Sequence, residues 1–274
     1  NDGLGLRYLL CGEGEANITG EHTEFRMAGD YSAHWMAGSD DDAEFEYMHT
    51  PLSGITPENI KISAGHNSDI IRCGVATPVA MSTERGTHLS IHEAALWHYP
   101  GMALAYDAQS NAFAVELSGN EEVKSVVELP FATPWRTVIV GDRAGALVES
   151  TLILNLNEPC AYDDTSWIKP VKYVGVWWEL ITGNSEWFYT RDVPAVQLGK
   201  TDYTKCTPIK NHGANNARVR RLIDFAAEHG FDQVLVEGWN IGWEDWFGCK
   251  KDYVFDFMTP YPDFEVEMLN KYAH

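Results

Sequence analysis

The pattern of hydrophobic and polar residues changes near residue 160 of the chain. Before that point, short apolar or alternating runs are separated by Gly, Pro, Asn and Asp, and no helical stripe of useful length is visible. Such runs predict short strands at fairly regular spacing, which is typical of a β-sandwich or β-barrel. The runs that carry this prediction are residues 59–62, 89–92, 123–129 and 137–140. We therefore predict a β-sandwich domain over residues 1–160 and a linker over 161–171.

After the linker the pattern becomes that of alternating strands and helices. The continuous apolar run within residues 172–180 predicts a strand buried on both faces, and residues 233–238 predict a second one. Between them, over residues 213–229, apolar residues recur at i, i+3, i+4, i+7 and i+8, which predicts an amphipathic helix. Gly230 is a suitable residue to end that helix.

A second helix is predicted to begin at Asp263, which is a suitable N-cap. Strands that alternate with helices predict a parallel sheet. A (β/α)8 barrel is favoured over a doubly wound sheet, because no Gly-rich phosphate-binding loop follows either strand. The predicted fold class is thus multidomain, β plus α/β, with residues 172–274 forming the start of a (β/α)8 barrel.

Candidate functional residues follow the two predicted strands, at the edge where barrels build their active sites. Glu237 comes just past the second strand and precedes Gly238 and Trp239, so an acid lies beside a flat apolar face. That arrangement suits sugar hydroxyls, although an acid in this place can also serve only to cap its loop. Trp177 and Trp178 close the first strand, and alternation predicts that they point to opposite faces. The residue pattern does not tell which of the two faces the barrel mouth.

Charge, hydropathy and aromatic content narrow the classes of partner that this chain could bind. The chain has 20 basic and 40 acidic residues, with a net charge of −20 and a pI near 4.7. Nucleic acid is disfavoured, because phosphate binding needs clustered Lys and Arg. No run of about 18 apolar residues is present, so no membrane span is predicted. The ten Trp and the aromatic content of 12% favour a sugar ligand, since sugar-binding clefts use aromatic faces.

Two groups of acidic residues are candidates for a metal site. Residues 40–46 form the densest acidic cluster, and carboxylates at that density can bind Ca²⁺, although most such clusters are solvated loops. Glu93, which follows His92 at the end of a predicted strand, is a weaker candidate, because such a pair is more often structural.

Six blocks of sequence resemble glycoside hydrolase family 97. They occur in the family's order and cover nearly the whole chain. The resemblance implies a β-super-sandwich, of which residues 1–160 form the C-terminal part, followed by a catalytic (β/α)8 barrel. It also implies a Ca²⁺ cofactor and either inverting hydrolysis of α-glucosides or retaining hydrolysis of α-galactosides. The blocks are residues 90–96, 133–137, 154–159, 172–178, 236–246 and 252–257.

The resemblance also implies roles for single residues. Trp177 and Glu237 match positions that line the family's glucose-binding subsite, and Glu44 matches the acid that the sandwich domain lends to the calcium. The family's catalytic carboxylates are expected beyond His274, so we expect no catalytic residue in this chain and no activity from it alone.

The likeness is strongest to the family's periplasmic α-glucosidases of bacterial starch utilisation. We therefore expect part of a calcium-dependent, inverting, periplasmic α-glucosidase that acts on maltooligosaccharides. A retaining α-galactosidase of the same family and a non-catalytic carbohydrate-binding protein remain the alternatives.

Overall fold

The chain forms two compact units, Asn1–Ala161 and Tyr162–His274. For residues 71–73 only the backbone is described. The computed structural model describes residues 2–39, 43–65, 71–119, 121–193, 195–246 and 254–274.

Within its described residues, the first unit is built from strands, with three short α-helices and one 3₁₀ helix (Leu52–Gly54). Its strands are β1 (Gly3–Leu6), β2 (Leu9–Ile18), β3 (Glu24–Arg26), β4 (Ser32–Trp35), β5 (Ala37–Ser39), β6 (Met48–Pro51), β7 (Ile71–Ala76), β8 (Val79–Ser82), β9 (His88–Ala94), β10 (Met102–Asp107), β11 (Ala112–Leu117), β12 (Ser125–Ala132) and β13 (Trp135–Gly141). Its α-helices are α1 (Pro57–Ala64), α2 (Ala144–Glu149) and α3 (Leu152–Asn155).

Two antiparallel sheets of the first unit face each other across one core. The larger sheet has the order β1-β13-β9-β8-β4-β6 and the smaller one the order β3-β11-β10-β7-β5, while β2 and β12 pair separately. Trp35 and Ile91 from the larger sheet pack in the same cluster as Leu104 and Phe113 from the smaller one, and all four are fully buried. The predicted β-sandwich is confirmed.

One predicted strand is wrong. Residues 59–62 lie in helix α1, because the residues before them favour the start of a helix. Thr56 is the N-cap, and its side chain accepts a hydrogen bond from the Asn59 backbone N–H at 3.2 Å. Pro57 occupies the first turn, where proline is well tolerated. Helices α2 and α3 were not predicted either, since each is too short to show a periodic stripe.

A buried ion network joins strands β9 and β13, on which Glu93 and Arg136 lie opposite each other, to the segment between β2 and β3. The Arg136 guanidinium donates to Glu21 Oε1 at 2.8 Å and Oε2 at 2.6 Å, and to Glu93 Oε2 at 2.6 Å. The exposed fractions of the Arg136, Glu21 and Glu93 side chains are 1%, 3% and 9%. Thr23 and Tyr99 donate their hydroxyls to Glu21 as well. Glu21 therefore receives more hydrogen bonds than Glu93.

The pKa values of the two carboxyl groups move in opposite directions. Burial acts to raise the pKa of Glu21, but the hydrogen bonds and charge of Arg136 outweigh it and leave the pKa lowered. Burial raises the pKa of Glu93, and its weaker coupling to Arg136 does not offset that effect. Burial and the neighbouring Glu21 raise the pKa of Tyr99 to about 12. Arg136 thus holds Glu21 as its main counter-ion.

Two histidines face each other across strands β4 and β6. The rings of His34 and His49 stack with centroids 4.1 Å apart, and His49 Nε2 shares a hydrogen bond of 2.8 Å with the Ser32 hydroxyl. Desolvation and then the charge of His49 lower the pKa of His34 below its ordinary value of 6.5.

We expect the free energy of unfolding to fall as the pH drops below about 6.5, because the unfolded chain takes up a proton at His34 that the folded chain binds less readily. Urea unfolding at neutral pH and at about pH 5.5 measures this loss, which should be smaller in His34→Gln than in the wild type. An equal pH dependence in the two proteins would remove His34 as a contributor.

The second unit contains the strands β14 (Tyr173–Val176) and β15 (Gln233–Val236) and the helices α4 (Trp178–Ile181), α5 (Asn216–His229) and α6 (Val266–Ala273). The two strands are parallel and adjacent, with Val176 opposite Val236. Helix α5 packs on them, since Val219 shares a buried cluster with Val176. The predicted strand–helix–strand arrangement and the left-handed Gly230 (φ 69°) at the end of α5 are confirmed.

Several boundaries in the second unit differ from the prediction. The first strand ends at Val176, because the backbone turns at Trp177 (φ −149°, ψ −57°) into α4. Trp177 and Trp178 are therefore not on opposite strand faces: their rings touch edge-on at 4.8 Å. Helix α6 begins after Glu265 rather than at Asp263, whose carboxylate binds His212 instead.

The two parallel strands are less buried than predicted. Tyr173 is 58% exposed and Leu235 45% exposed. In the part of the chain that the structure describes, the parallel sheet has only these two strands, so both have an uncovered edge. No helix within the described ranges combines the length and apolarity that crossing a membrane requires.

Candidate functional site

Trp177 and Glu237 are brought together by the two parallel strands. Each is the first residue after its strand, and the Glu237 backbone N–H donates to the Val176 carbonyl oxygen at 3.4 Å. Both side chains are half-buried. The sequence predicted this proximity correctly, because the carboxyl ends of neighbouring parallel strands lie at the same edge.

The Glu237 carboxylate has a partner that the sequence did not reveal. The indole Nε1–H of Trp187 donates to Glu237 Oε2 at 3.2 Å. Trp187 is 8% exposed, stacks on Trp243 with centroids 6.0 Å apart, and meets Trp246 edge-on at 6.3 Å. Trp187 belongs to a long loop with no hydrophobic period, so only the high Trp content hinted at such a cluster.

The backbone after Glu237 is held by a buried histidine. His212, 1% exposed, has its Nε2 2.9 Å from the Gly238 carbonyl oxygen and its Nδ1 2.9 Å from Asp263 Oδ2. The carbonyl oxygen can only accept, so Nε2 donates to it. Gly238 has φ +77°, and a Cβ there would lie 2.9 Å from the Trp187 carbonyl oxygen. Only glycine fits this turn without displacing Trp187.

A second carboxylate, that of Glu244, has a structural role. Glu244 accepts from the Tyr189 backbone N–H at 3.2 Å and from the hydroxyls of Tyr203 at 3.1 Å and Tyr261 at 2.6 Å. Burial, followed by the charge of Glu244, raises the pKa of both tyrosines. Both hydroxyls therefore stay protonated and keep donating to Glu244, which ties three loop segments together.

Trp239 lies beside this site but packs elsewhere. Its ring is tilted against Phe264 with centroids 6.0 Å apart, and its carbonyl oxygen accepts from the Tyr261 backbone N–H at 2.8 Å. The side chain is half-buried. Its role in binding a substrate stays a prediction.

The metal candidates lie in the sandwich domain. Glu44 is exposed, and the acidic residues 40–42 next to it fall outside the described residues. Glu93 has both oxygens engaged, Oε2 by Arg136 and Oε1 by the Met102 backbone N–H at 3.2 Å, so its contacts are those of a structural residue. Among the residues that the structure describes, no three His, Cys, Asp or Glu side chains are grouped to hold a metal ion.

Models of one protein family match both units of the chain. The model described as glycosyl-hydrolase 97 N-terminal matches residues 1–159, and the model described as glycoside hydrolase 97 matches residues 177–274. The chain belongs to glycoside hydrolase family 97. The fold class predicted from the sequence, a β-sandwich followed by the start of a (β/α)8 barrel, agrees with this membership.

Among solved structures, a family 97 enzyme from Pseudoalteromonas sp. strain K8 in complex with acarbose is similar to this chain, with 34% identity and a TM-score of 0.72. The match covers 100% of this chain and 37% of that enzyme. A variant of the Pseudoalteromonas enzyme in complex with panose matches with 33% identity and a TM-score of 0.70.

Two further relatives are named as α-galactosidases. A retaining α-galactosidase from Bacteroides thetaiotaomicron is 22% identical over 88% of this chain and 36% of its own length. A probable retaining α-galactosidase from Streptomyces bingchenggensis is 25% identical over 95% of this chain and 33% of its own length. The chain therefore spans about a third of the length of these relatives.

Proposed function

We propose that this chain is part of an α-glucosidase that hydrolyses α-glucosidic bonds of starch-derived maltooligosaccharides with inversion. The observation that carries the proposal is the half-buried Glu237, which, like Trp177, directly follows the carboxyl end of one of two adjacent parallel strands. Membership of a glycoside hydrolase family makes a sugar the natural ligand of such a site.

Glucose is favoured over galactose by the comparisons. The chain is 34% identical to an enzyme that was solved with acarbose, and only 22% and 25% identical to the two relatives named as α-galactosidases. Acarbose and panose both contain glucose-like rings joined by α bonds. This difference in identity supports α-glucosides as substrates.

At this site Trp177 would offer an apolar face to a sugar ring, and Glu237 would accept hydrogen bonds from its hydroxyls. Inverting hydrolysis needs one carboxyl group that protonates the leaving oxygen and another that activates water. Following the family resemblance, we assign both groups to sequence that follows His274, so the residues described above bind and orient the sugar.

Calcium is proposed as the cofactor, with Glu44 as the candidate ligand from this chain. A carboxylate oxygen is a ligand that Ca²⁺ prefers, and the family resemblance matches Glu44 to the acid that the sandwich domain lends to the calcium. Glu93 does not fit, because its carboxylate is buried and paired with Arg136. When bound, the ion would supply positive charge. A periplasmic location is proposed with it, on the resemblance to periplasmic starch-utilisation enzymes.

The proposal is tested on an enzyme of the relatives' full length that contains this chain. We expect it to cleave p-nitrophenyl α-glucoside and maltooligosaccharides faster than p-nitrophenyl α-galactoside, with β-glucose as the first product in proton NMR. Faster cleavage of the α-galactoside with α-galactose as the first product would replace the proposal with the retaining α-galactosidase. Binding of maltooligosaccharide without any hydrolysis would indicate a carbohydrate-binding protein.

A further inference from the structure

We infer that Trp187 is a positioning residue, which holds the Glu237 carboxylate in the orientation that binds the sugar. The inference rests on the proposed function of Glu237 and adds a residue that the sequence patterns did not single out. Its basis is the hydrogen bond of 3.2 Å from the Trp187 indole N–H to Glu237 Oε2.

Trp187 is itself held in place by its surroundings. Its ring lies nearly parallel to that of Trp243, with an angle of 12° between the planes, and Trp243 is anchored by its own indole N–H, which donates to Asn240 Oδ1 at 3.1 Å. Trp187 is 8% exposed and belongs to the buried cluster that contains Val176. The donor that Glu237 meets is therefore fixed by packing.

The backbone contacts at Gly238 hold the backbone after Glu237 close to the residue that supplies this donor. The left-handed turn at Gly238 lies against the Trp187 backbone, and His212 binds the Gly238 carbonyl oxygen. Carboxylate and indole are thus coupled twice, once through their side chains and once through the close approach of their backbones.

An indole N–H only donates, so it selects which atom of residue 237 faces it. In the wild type it engages Oε2, whereas Oε1 accepts no hydrogen bond from the described parts of the chain. Oε1 is the oxygen left to accept a hydrogen bond from a sugar hydroxyl. In Glu237→Gln the amide oxygen would have to face Trp187, which would turn the NH₂ group toward the sugar and replace an acceptor by a donor.

The first test uses enzyme kinetics on an α-glucoside in an enzyme of the family's full length that contains this chain. We expect Trp187→Phe to lower kcat/KM about five- to twentyfold, because the Glu237 carboxylate then loses the donor that fixes its orientation. Trp167→Phe is the control, because it removes the indole N–H of an exposed tryptophan, which donates to the Asp164 carbonyl oxygen at 3.2 Å, and it should change kcat/KM less than about threefold. A loss in Trp187→Phe no larger than that in Trp167→Phe would overturn the inference.

A double variant separates positioning from packing. Without the indole donor, the glutamine side chain of Glu237→Gln can turn its oxygen toward the sugar. Adding Trp187→Phe to Glu237→Gln should therefore cost less than about twofold beyond Glu237→Gln alone. Losses that multiply would contradict the coupling. If Trp187→Phe does not fold, the benzothiophene analogue of tryptophan at position 187 keeps the ring size and removes only the N–H, and full activity of that protein would also overturn the inference.

A spectroscopic test uses the 274-residue chain itself. The Trp187 indole N–H resonance, assigned by its loss in Trp187→Phe, should move upfield in Glu237→Gln, because a neutral amide oxygen is a weaker acceptor than a carboxylate. An indole resonance that Glu237→Gln leaves in place would show that the bond is not formed. Near-normal kinetics of Glu237→Gln would instead overturn the proposed function of the site while leaving this hydrogen bond intact, so the two failures are distinguishable.

Discussion

Replacing Glu237 by glutamine is expected to lower kcat/KM for an α-glucoside about ten- to a hundredfold in an enzyme of the family's full length. The substitution keeps the shape of the side chain but removes its charge and one acceptor oxygen. The expected loss corresponds to about 1.4–2.7 kcal/mol of transition-state binding, which is the range of a hydrogen bond to a charged group. Folding should hardly change, because the amide oxygen can still accept from the Trp187 indole N–H.

The matched control for this experiment is Glu228→Gln, which removes an exposed carboxylate on helix α5 and should leave the kinetics unchanged. Near-normal activity of Glu237→Gln would make Glu237 a loop acid without a role in substrate binding. Complete inactivity that azide restores would identify Glu237 as a catalytic carboxylate, and the placement of the catalytic pair beyond His274 would be wrong.

Replacing Arg136 by methionine is expected to destabilise the sandwich domain by about 3–5 kcal/mol, because it leaves Glu21 and Glu93 buried without their counter-charge. For a domain of this size the midpoint of thermal unfolding should fall by about 6–20 °C. The loss should shrink at lower pH, since protonation then neutralises the two carboxylates that the substitution leaves unpaired. Thermal and urea unfolding of the variant and the wild type measure these effects.

An exposed ion pair supplies the control for Arg136. Arg143 binds Glu149 with side chains that are 59% and 64% exposed, so Arg143→Met should cost at most about 1 kcal/mol. Combining Arg136→Met with Glu21→Gln and Glu93→Gln should recover part of the stability, because no buried charge then remains unpaired. A loss in Arg136→Met no larger than in Arg143→Met would contradict the structural role of the network.

Much of the fold could be predicted from local patterns. The alternating runs at 89–92 and 137–140 are strands β9 and β13, and the stripe ending at Gly230 is helix α5. The prediction failed at residues 59–62, where four residues are too few to distinguish the two periods and the capping signal of Thr56 and Pro57 decided for a helix. It also extended the first parallel strand past Val176, because an apolar run does not show where the backbone turns.

The candidate site, too, was predicted from the sequence only in part. The sequence by itself determined that Glu237 and Trp177 share one edge of a parallel sheet, because that follows from strand order and from the geometry of parallel strands. The tertiary structure alone decided that Trp187, 50 residues before Glu237, donates to its carboxylate. It alone also decided that Asp263 binds His212 instead of capping a helix, and that Arg136 joins Glu21 to Glu93. The physical reason is that such bonds depend on side-chain positions set by the packing of distant segments, for which no spacing along the chain provides a signal.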